Sequence, residues 1–100
     1  MEYITITGVR HYFGLETFKV NQTLWLKKDL ENDYDDEAIK VVTEAGIVYG
    51  YVANSIYTVA RGTKSAGRIY DRFENKCKIK VCFITKNEVI AQLVFEQEEV

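Results

Sequence analysis

The sequence has no proline, two cysteines, one histidine and one tryptophan in 100 residues. Its ordinary composition, with 47% apolar residues, argues against both a collagen-like repeat and a disordered chain. Long hydrophobic runs are also missing. The longest uncharged stretch, 45–60, is interrupted by glycines and polar residues, whereas a membrane span needs about 18–20 apolar residues. The first residues lack the basic flank and apolar stretch of a secretory signal, so we expect a cytoplasmic protein with no membrane partner. The compact, single-module length favours a bacterial origin.

The length predicts one domain. A chain of this size buries about two-thirds of its extended surface on folding, which is enough for an independent core. We expect a single domain over 1–100, with its core at about 4–95 and an acidic tail at 96–100.

The two cysteines indicate neither a disulfide nor a metal site. Cys77 and Cys82 lie in a segment of alternating residues, and a strand would put them on opposite faces with their Cα atoms about 16 Å apart. A disulfide requires about 7 Å or less. A zinc site would have only His11 as a further ligand and lacks the CxxC spacing. We expect no metal and no other cofactor.

Alternation of apolar and polar residues predicts six strands, with tight turns at Ala45-Gly46 and Lys86-Asn87 that make two hairpins. In the fifth strand the alternation puts Cys77 and Phe83 on one face. The predicted strands are 3–7, 23–27, 38–43, 47–52, 76–83 and 89–95.

One short helix of about two turns is predicted over 54–62. Asn54 or Ser55 can cap it, Ile56 and Val59 follow helical spacing, and Gly62 suits its end. Six strands and one helix in so short a chain favour a mainly β fold. We expect a small barrel or strongly curled sheet, because closure removes exposed strand edges.

Charge is unevenly distributed although the net charge is only −2. The segment 29–37 holds six acids and no base, whereas 61–80 holds seven bases and two acids. Such runs are usually solvated surface. Tyr70 and Phe73 lie between the bases of the second segment, and this mixture is compatible with a nucleic-acid-binding face.

Three segments together carry a family resemblance. They are Thr7-Gly8-Val9-Arg10-His11-Tyr12-Phe13-Gly14, then 30–41, which reads LENDYDDEAIKV, and Gly50-Tyr51-Val52. In this order they resemble the HIRAN domain, in which Gly-x-Arg-Tyr-Tyr, Asn-x-Tyr-Asp-x-x-Ala-Ile-x-Val and a Val-Gly-Tyr-like strand recur. The resemblance covers about 4–95. It implies an OB-like β-barrel that binds single-stranded DNA and captures a free 3′-hydroxyl end.

Carried over by position, the resemblance assigns Arg10, His11 and Tyr12 to the Arg-Tyr-Tyr positions, with a histidine replacing one tyrosine, and Tyr34 and Asp35 to the central motif. The chemistry agrees: a guanidinium fits a phosphate, and flat rings stack on unpaired bases. The Asp35 carboxylate would accept a hydrogen bond from a terminal hydroxyl and repel a phosphate, thereby favouring strand ends. Contacts to the DNA backbone are expected from four residues of the basic segment: Arg61, Lys64, Arg68 and Arg72.

Other interpretations stay open at this point. Arg10 could pair with Asp35 or Glu37. Tyr12 and Tyr34 could pack against the barrel end, and Asp35 could cap a helical turn. A calcium loop starting at Asp33 lacks the glycine required at its sixth position. The sequence also contains no recognisable catalytic triad or phosphate-binding loop, so we expect no enzyme activity.

The sequence therefore predicts a DNA repair or replication accessory module that binds single-stranded DNA at a 3′ end. Its expected protein partner is a larger helicase or nuclease, and no small-molecule substrate is expected. The alternative is a protein-interaction module that docks such an enzyme without contacting DNA, which the near-neutral charge and acidic tail would suit.

Overall fold

A computed structural model describes residues 1–95, which form a closed antiparallel barrel of six strands. The strands are β1 (Tyr3–Thr7), β2 (Thr23–Lys28), β3 (Ile39–Val42), β4 (Val48–Val52), β5 (Lys76–Ile84) and β6 (Val89–Val94). Their order around the barrel is β1-β4-β3-β2-β5-β6, and β6 pairs with β1 to close it. The predicted mainly β, six-stranded barrel with one short helix is confirmed. The acidic segment 96–100 lies outside the described residues.

Alternating burial along the strands places one face of the sheet inside the barrel. In β6, Val89, Ala91 and Leu93 are buried, and the residues between them are partly exposed. Burying each large aliphatic side chain contributes about 1.5–3 kcal/mol, so these inward rows are a main source of stability. The largest fully buried side chains are those of Ile4, Ile6, Leu24, Leu26, Ile39, Val41, Ile69, Ile79, Val81 and Val89.

The predicted alternation fails near the end of β5. Val81 pairs with Ala91 and Phe83 pairs with Ile90, so Cys82 is an extra residue in a β-bulge. A one-residue shift reverses the faces, and Phe83 is therefore 60% exposed instead of inward. Cys77 is buried and Cys82 is half-buried, and both are free thiols.

The prediction of a helix over 54–62 is wrong. Residues 55–59 form a turn in which the amides of Thr58 and Val59 both donate to the Ser55 carbonyl, and Ile56 is 87% exposed. The segment finds no apolar surface to cover, and short helices depend on such packing. The helix that does form, α1 (Ala66–Ile69), buries both of its terminal residues in the core.

The elements outside the barrel are short. Two 3₁₀ turns, Val9–His11 and Leu15–Thr17, lie between β1 and β2, and a third, Tyr70–Arg72, follows α1. Across 1–95 no helix is long and apolar enough to cross a membrane.

Candidate nucleic-acid interface

The side chains of Arg10 and His11 are exposed on a hydrogen-bonded turn that follows β1. Gly8 starts the turn with φ 72°, in the left-handed region, and Val9 buries its side chain in the core. The His11 amide donates to the Gly8 carbonyl at 3.0 Å, and the Tyr12 amide donates to the Val9 carbonyl at 3.1 Å. The backbone is therefore held, while both polar side chains face outward.

This turn depends on the close approach of β4 to β1. A Cβ atom at Gly50 would lie 2.8 Å from the Thr7 carbonyl oxygen and 3.3 Å from Cγ1 of Val9. Only glycine allows this spacing, because a side chain at position 50 would displace β1 and the turn after it.

Arg10 and His11 line a groove of about 380 Å³ together with Lys86 from the β5–β6 turn. None of its lining residues is acidic, and Arg10 and Lys86 supply positive charge. The other lining residues are Ile6, Thr7, Gly8, Val9, Leu15 and Asn87. Sequence reasoning missed Lys86, because its spacing indicated only a turn.

Tyr12 lies beside this turn with its ring supported from behind. Tyr12 is 40% exposed, and its ring packs against Tyr51 on β4, with centroids 6.2 Å apart and planes inclined by 37°. The Tyr51 hydroxyl donates to Oδ2 of Asp29 at 2.6 Å. Burial, followed by the hydrogen bonds to Asp29 and Tyr12, raises the pKa of Tyr51, and the hydroxyl of Tyr51 lowers the pKa of Asp29. A partly exposed ring that contacts Tyr51 is thus available for stacking.

The loop between β2 and β3 is organised by Asn32. Its Oδ1 accepts hydrogen bonds from the amides of Tyr34 and Asp35, both at 2.9 Å, in an Asx turn. Tyr34 is 99% exposed, so the alternative in which this ring packs against the barrel end does not occur.

Asp35 is half-buried and links the β2–β3 loop to the segment that follows β4. Its carboxylate accepts from the Glu37 amide at 2.9 Å and from Nδ2 of Asn54 at 3.0 Å. The amide oxygen of the same side chain, Oδ1 of Asn54, accepts from the Gly67 amide of α1 at 2.9 Å. An ionised carboxylate has about four acceptor positions, so Asp35 keeps capacity for a further donor.

The four basic side chains predicted to contact the DNA backbone divide into two pairs. Arg61 and Arg68 are exposed and line a second groove, of about 420 Å³, to which Asn54 also contributes. Lys64 and Arg72 both bind Oε1 of Glu2, at 3.0 Å and 2.5 Å. These two hydrogen bonds, that of Lys64 first, lower the pKa of Glu2.

The fold thus groups the predicted residues into neighbouring sets. Asn54 connects Asp35 with the groove of Arg61 and Arg68, and Tyr51 connects Tyr12 with the loop that begins at Asp29. Within the described part of the chain both ion pairs involve Glu2, so Arg10 forms none with Asp35 or Glu37. Tyr51 lies in the quoted Gly50-Tyr51-Val52 motif, whereas Asn54 was singled out only as a helix cap.

Comparison with known proteins agrees with this architecture. The sequence model of the HIRAN domain matches residues 1–93. A crystal structure of a protein from Lactobacillus plantarum is 23% identical, covers 93% of this chain and 89% of its own, and superposes with a TM-score of 0.64. The crystal structure of the HIRAN domain of human HLTF is 21% identical, covers 91% and 72%, and has a TM-score of 0.61. A search of curated proteins finds no match.

Proposed function

The chain belongs to the HIRAN domain family, which is associated with DNA binding, and we propose that it binds single-stranded DNA with a free 3′-hydroxyl end near Tyr12. The observation that supports this most is the groove of Arg10, His11 and Lys86: no acid lines it, and Tyr12, whose ring packs on Tyr51, directly follows His11 in the chain.

In this proposal the two sets of side chains have different tasks. The guanidinium of Arg10 and the ammonium of Lys86 bind phosphate oxygens, which supplies salt-dependent affinity. Tyr12 stacks on a base, with the imidazole of His11 as a second flat surface on the same turn. Because Tyr51 already holds the Tyr12 ring, less conformational entropy is lost when a base binds.

End selection would come from Asp35. Its carboxylate is held by Asn54 and by the Glu37 amide, and it can still accept a hydrogen bond from a sugar hydroxyl. A 3′-phosphate would put a second negative charge at the same point and be repelled. Arg61 and Arg68 would contact the backbone from the adjoining groove, and Lys64 and Arg72 would do so only by sharing their charge with Glu2.

We further propose that the module has no enzyme activity of its own and assists a larger helicase or nuclease in repair or replication. The family match and the small size of the barrel support a binding module. The alternative, a module that docks such an enzyme without touching DNA, predicts no binding in the experiment below.

Fluorescence anisotropy with a short labelled oligonucleotide, carrying either a 3′-hydroxyl or a 3′-phosphate, tests the proposal. Tyr12→Ala should weaken binding by about 5- to 150-fold, the effect of losing one stacked base. Tyr57→Ala is the matched control, because Tyr57 is 90% exposed on another turn. Asp35→Ala should reduce the preference for the hydroxyl end.

Arg10→Ala should weaken both oligonucleotides equally, and Lys19→Ala, which removes an exposed charge elsewhere, should not. Absence of salt-sensitive binding to either oligonucleotide would remove the proposal and favour the protein-docking alternative. Equal affinity for both ends would leave DNA binding in place and reject end selection by Asp35.

A further inference from the structure

The outer surface of β3, β2 and β5 carries a concentration of lysines around the single tryptophan of the chain. These three strands contain no acidic residue. Their cross-strand partners put the lysine side chains on one surface, with Lys27 directly opposite Lys40 on one side and Lys76 on the other. We name this surface the lysine face and define it as Trp25, Lys27, Lys40, Lys76, Lys78 and Lys80.

This arrangement costs stability. Like charges directly opposite each other on neighbouring strands are destabilising, and here three ammonium groups occupy one row across three strands. Lysines often protect exposed sheet edges from aggregation, but a closed barrel has no such edge. The protection of an edge therefore does not explain this row.

Trp25 holds two of these lysines in position. The Lys76 ammonium lies 4.6 Å from the centroid of the Trp25 ring and the Lys78 ammonium lies 5.3 Å from it, as in cation–π contacts. Two acids border the face. Asp29 has its pKa lowered by the hydrogen bond from Tyr51 and further by the charge of Lys40, and Glu44 lines a hollow with Lys27 and Lys76. The five lysines outnumber these two acids, and a surface with an excess of cations suits a polyanion.

The lysine face also continues from the proposed DNA site. Tyr51, whose ring supports Tyr12, is the direct cross-strand partner of Lys40. The row therefore runs Tyr51, Lys40, Lys27, Lys76 across four neighbouring strands, a path of about 14 Å at the usual strand spacing. The phosphates of a DNA strand whose 3′ end lies at Tyr12 could follow this row of side chains.

We propose that the lysine face binds the phosphate backbone of the single-stranded DNA whose end lies at Tyr12, an inference that rests on the proposed function. The sugar-phosphate chain crosses β3, β2 and β5 in that order, and its phosphates contact Lys40, Lys27 and Lys76. Lys78 and Lys80 extend the positive charge along β5. The lysine face adds affinity without sequence preference.

Oligonucleotide length separates the two sites. We would compare strands of about 4 and about 16 nucleotides, the limits of OB-fold site sizes, in a salt series. The triple variant Lys27→Gln, Lys40→Gln, Lys76→Gln should bind the short strand like the wild type. For the long oligonucleotide, the slope of log affinity against log salt is negative, and its magnitude should decrease by about 2 in the triple variant, since each phosphate contact contributes about 0.7.

Trp25 provides an independent readout, because it is the only tryptophan. Its emission should change with the long strand and not with the short one. Lys27→Gln alone should reduce the magnitude of the slope by about 0.7. The charge-matched control, Lys19→Gln, should leave the slope unchanged. The triple variant should unfold at a temperature no lower than that of the wild type, because opposed like charges are removed.

Three results would overturn the inference. If the triple variant keeps the wild-type slope with the long strand, the lysine face takes no part, and the site at Tyr12 stands alone. If neither strand binds the wild type, the proposed function fails together with the inference. If polyglutamate of equal charge binds as tightly and changes the Trp25 emission equally, the lysine face recognises an acidic protein instead.

Discussion

The hydrogen bond from Tyr51 to Asp29 makes a prediction that combines stability, pH and the site. Tyr51→Phe removes one hydroxyl and keeps the ring against Tyr12. The bond is 2.6 Å long with an ionised acceptor, and bonds of this kind contribute about 1.5–3 kcal/mol. Asp29 is partly exposed, so we expect a loss of about 1–1.5 kcal/mol, which lowers Tm by about 4–12 °C in a domain of this size.

The effect should depend on pH in a defined direction. The hydrogen bond lowers the pKa of Asp29 below its ordinary value of 3.8 in the folded state. The stabilisation is therefore complete above that value and is lost as pH falls through the lower, folded pKa. The difference in Tm between wild type and Tyr51→Phe should be full at pH 7 and shrink below about pH 4.

Thermal unfolding followed by circular dichroism, at pH 7 and at pH 3, measures this. The exposed hydroxyl of Tyr57 provides the control, and Tyr57→Phe should leave Tm unchanged. Combining Tyr51→Phe with Asp29→Asn should show a coupling of about 1 kcal/mol. Additive effects of the two substitutions, or a Tm difference that persists undiminished at pH 3, would refute the reasoning.

Other substitutions and reagents give further expected outcomes. Gly50→Ala should cost about 1–3 kcal/mol in chemical denaturation, because its Cβ would meet the Thr7 carbonyl oxygen at 2.8 Å, and an unchanged midpoint would contradict this. Ellman's reagent should modify Cys82 first and Cys77 only on unfolding, since Cys77 is buried and burial raises its pKa; equal rates in the folded protein would be inconsistent. Glu2→Gln should cost less than about 1 kcal/mol while freeing two cations, so oligonucleotide affinity should rise if they contact DNA and stay constant if they do not.

The strands could be predicted because their signal is local. Alternation within a few residues is enough to recognise β2 and β6, since each residue turns to the opposite face from its neighbour. The two errors have a common origin. The helical spacing at Ile56 lacked a surface to pack on, and the bulge at Cys82 exists only because β5 must match its partner β6.

The candidate site was predicted to a smaller extent. Arg10, His11 and Tyr12 were named through the resemblance, and their shared turn could be inferred from their proximity in the chain. Lys86 could not be named, since it reaches the same groove only through the β5–β6 turn. The division of the basic segment was equally hidden, because Glu2 is distant in sequence from the two cations that it binds.

By itself, then, the sequence determined most of the strands, most of the inward apolar rows, the mainly β architecture and the family, because these are written in short-range patterns and motifs. Tertiary structure alone decided which polar groups meet. Tyr51 and Asp29 are 22 positions apart, and the three opposed lysines come from three different strands. Such contacts depend on strand register, and register is set only when the barrel closes around its core.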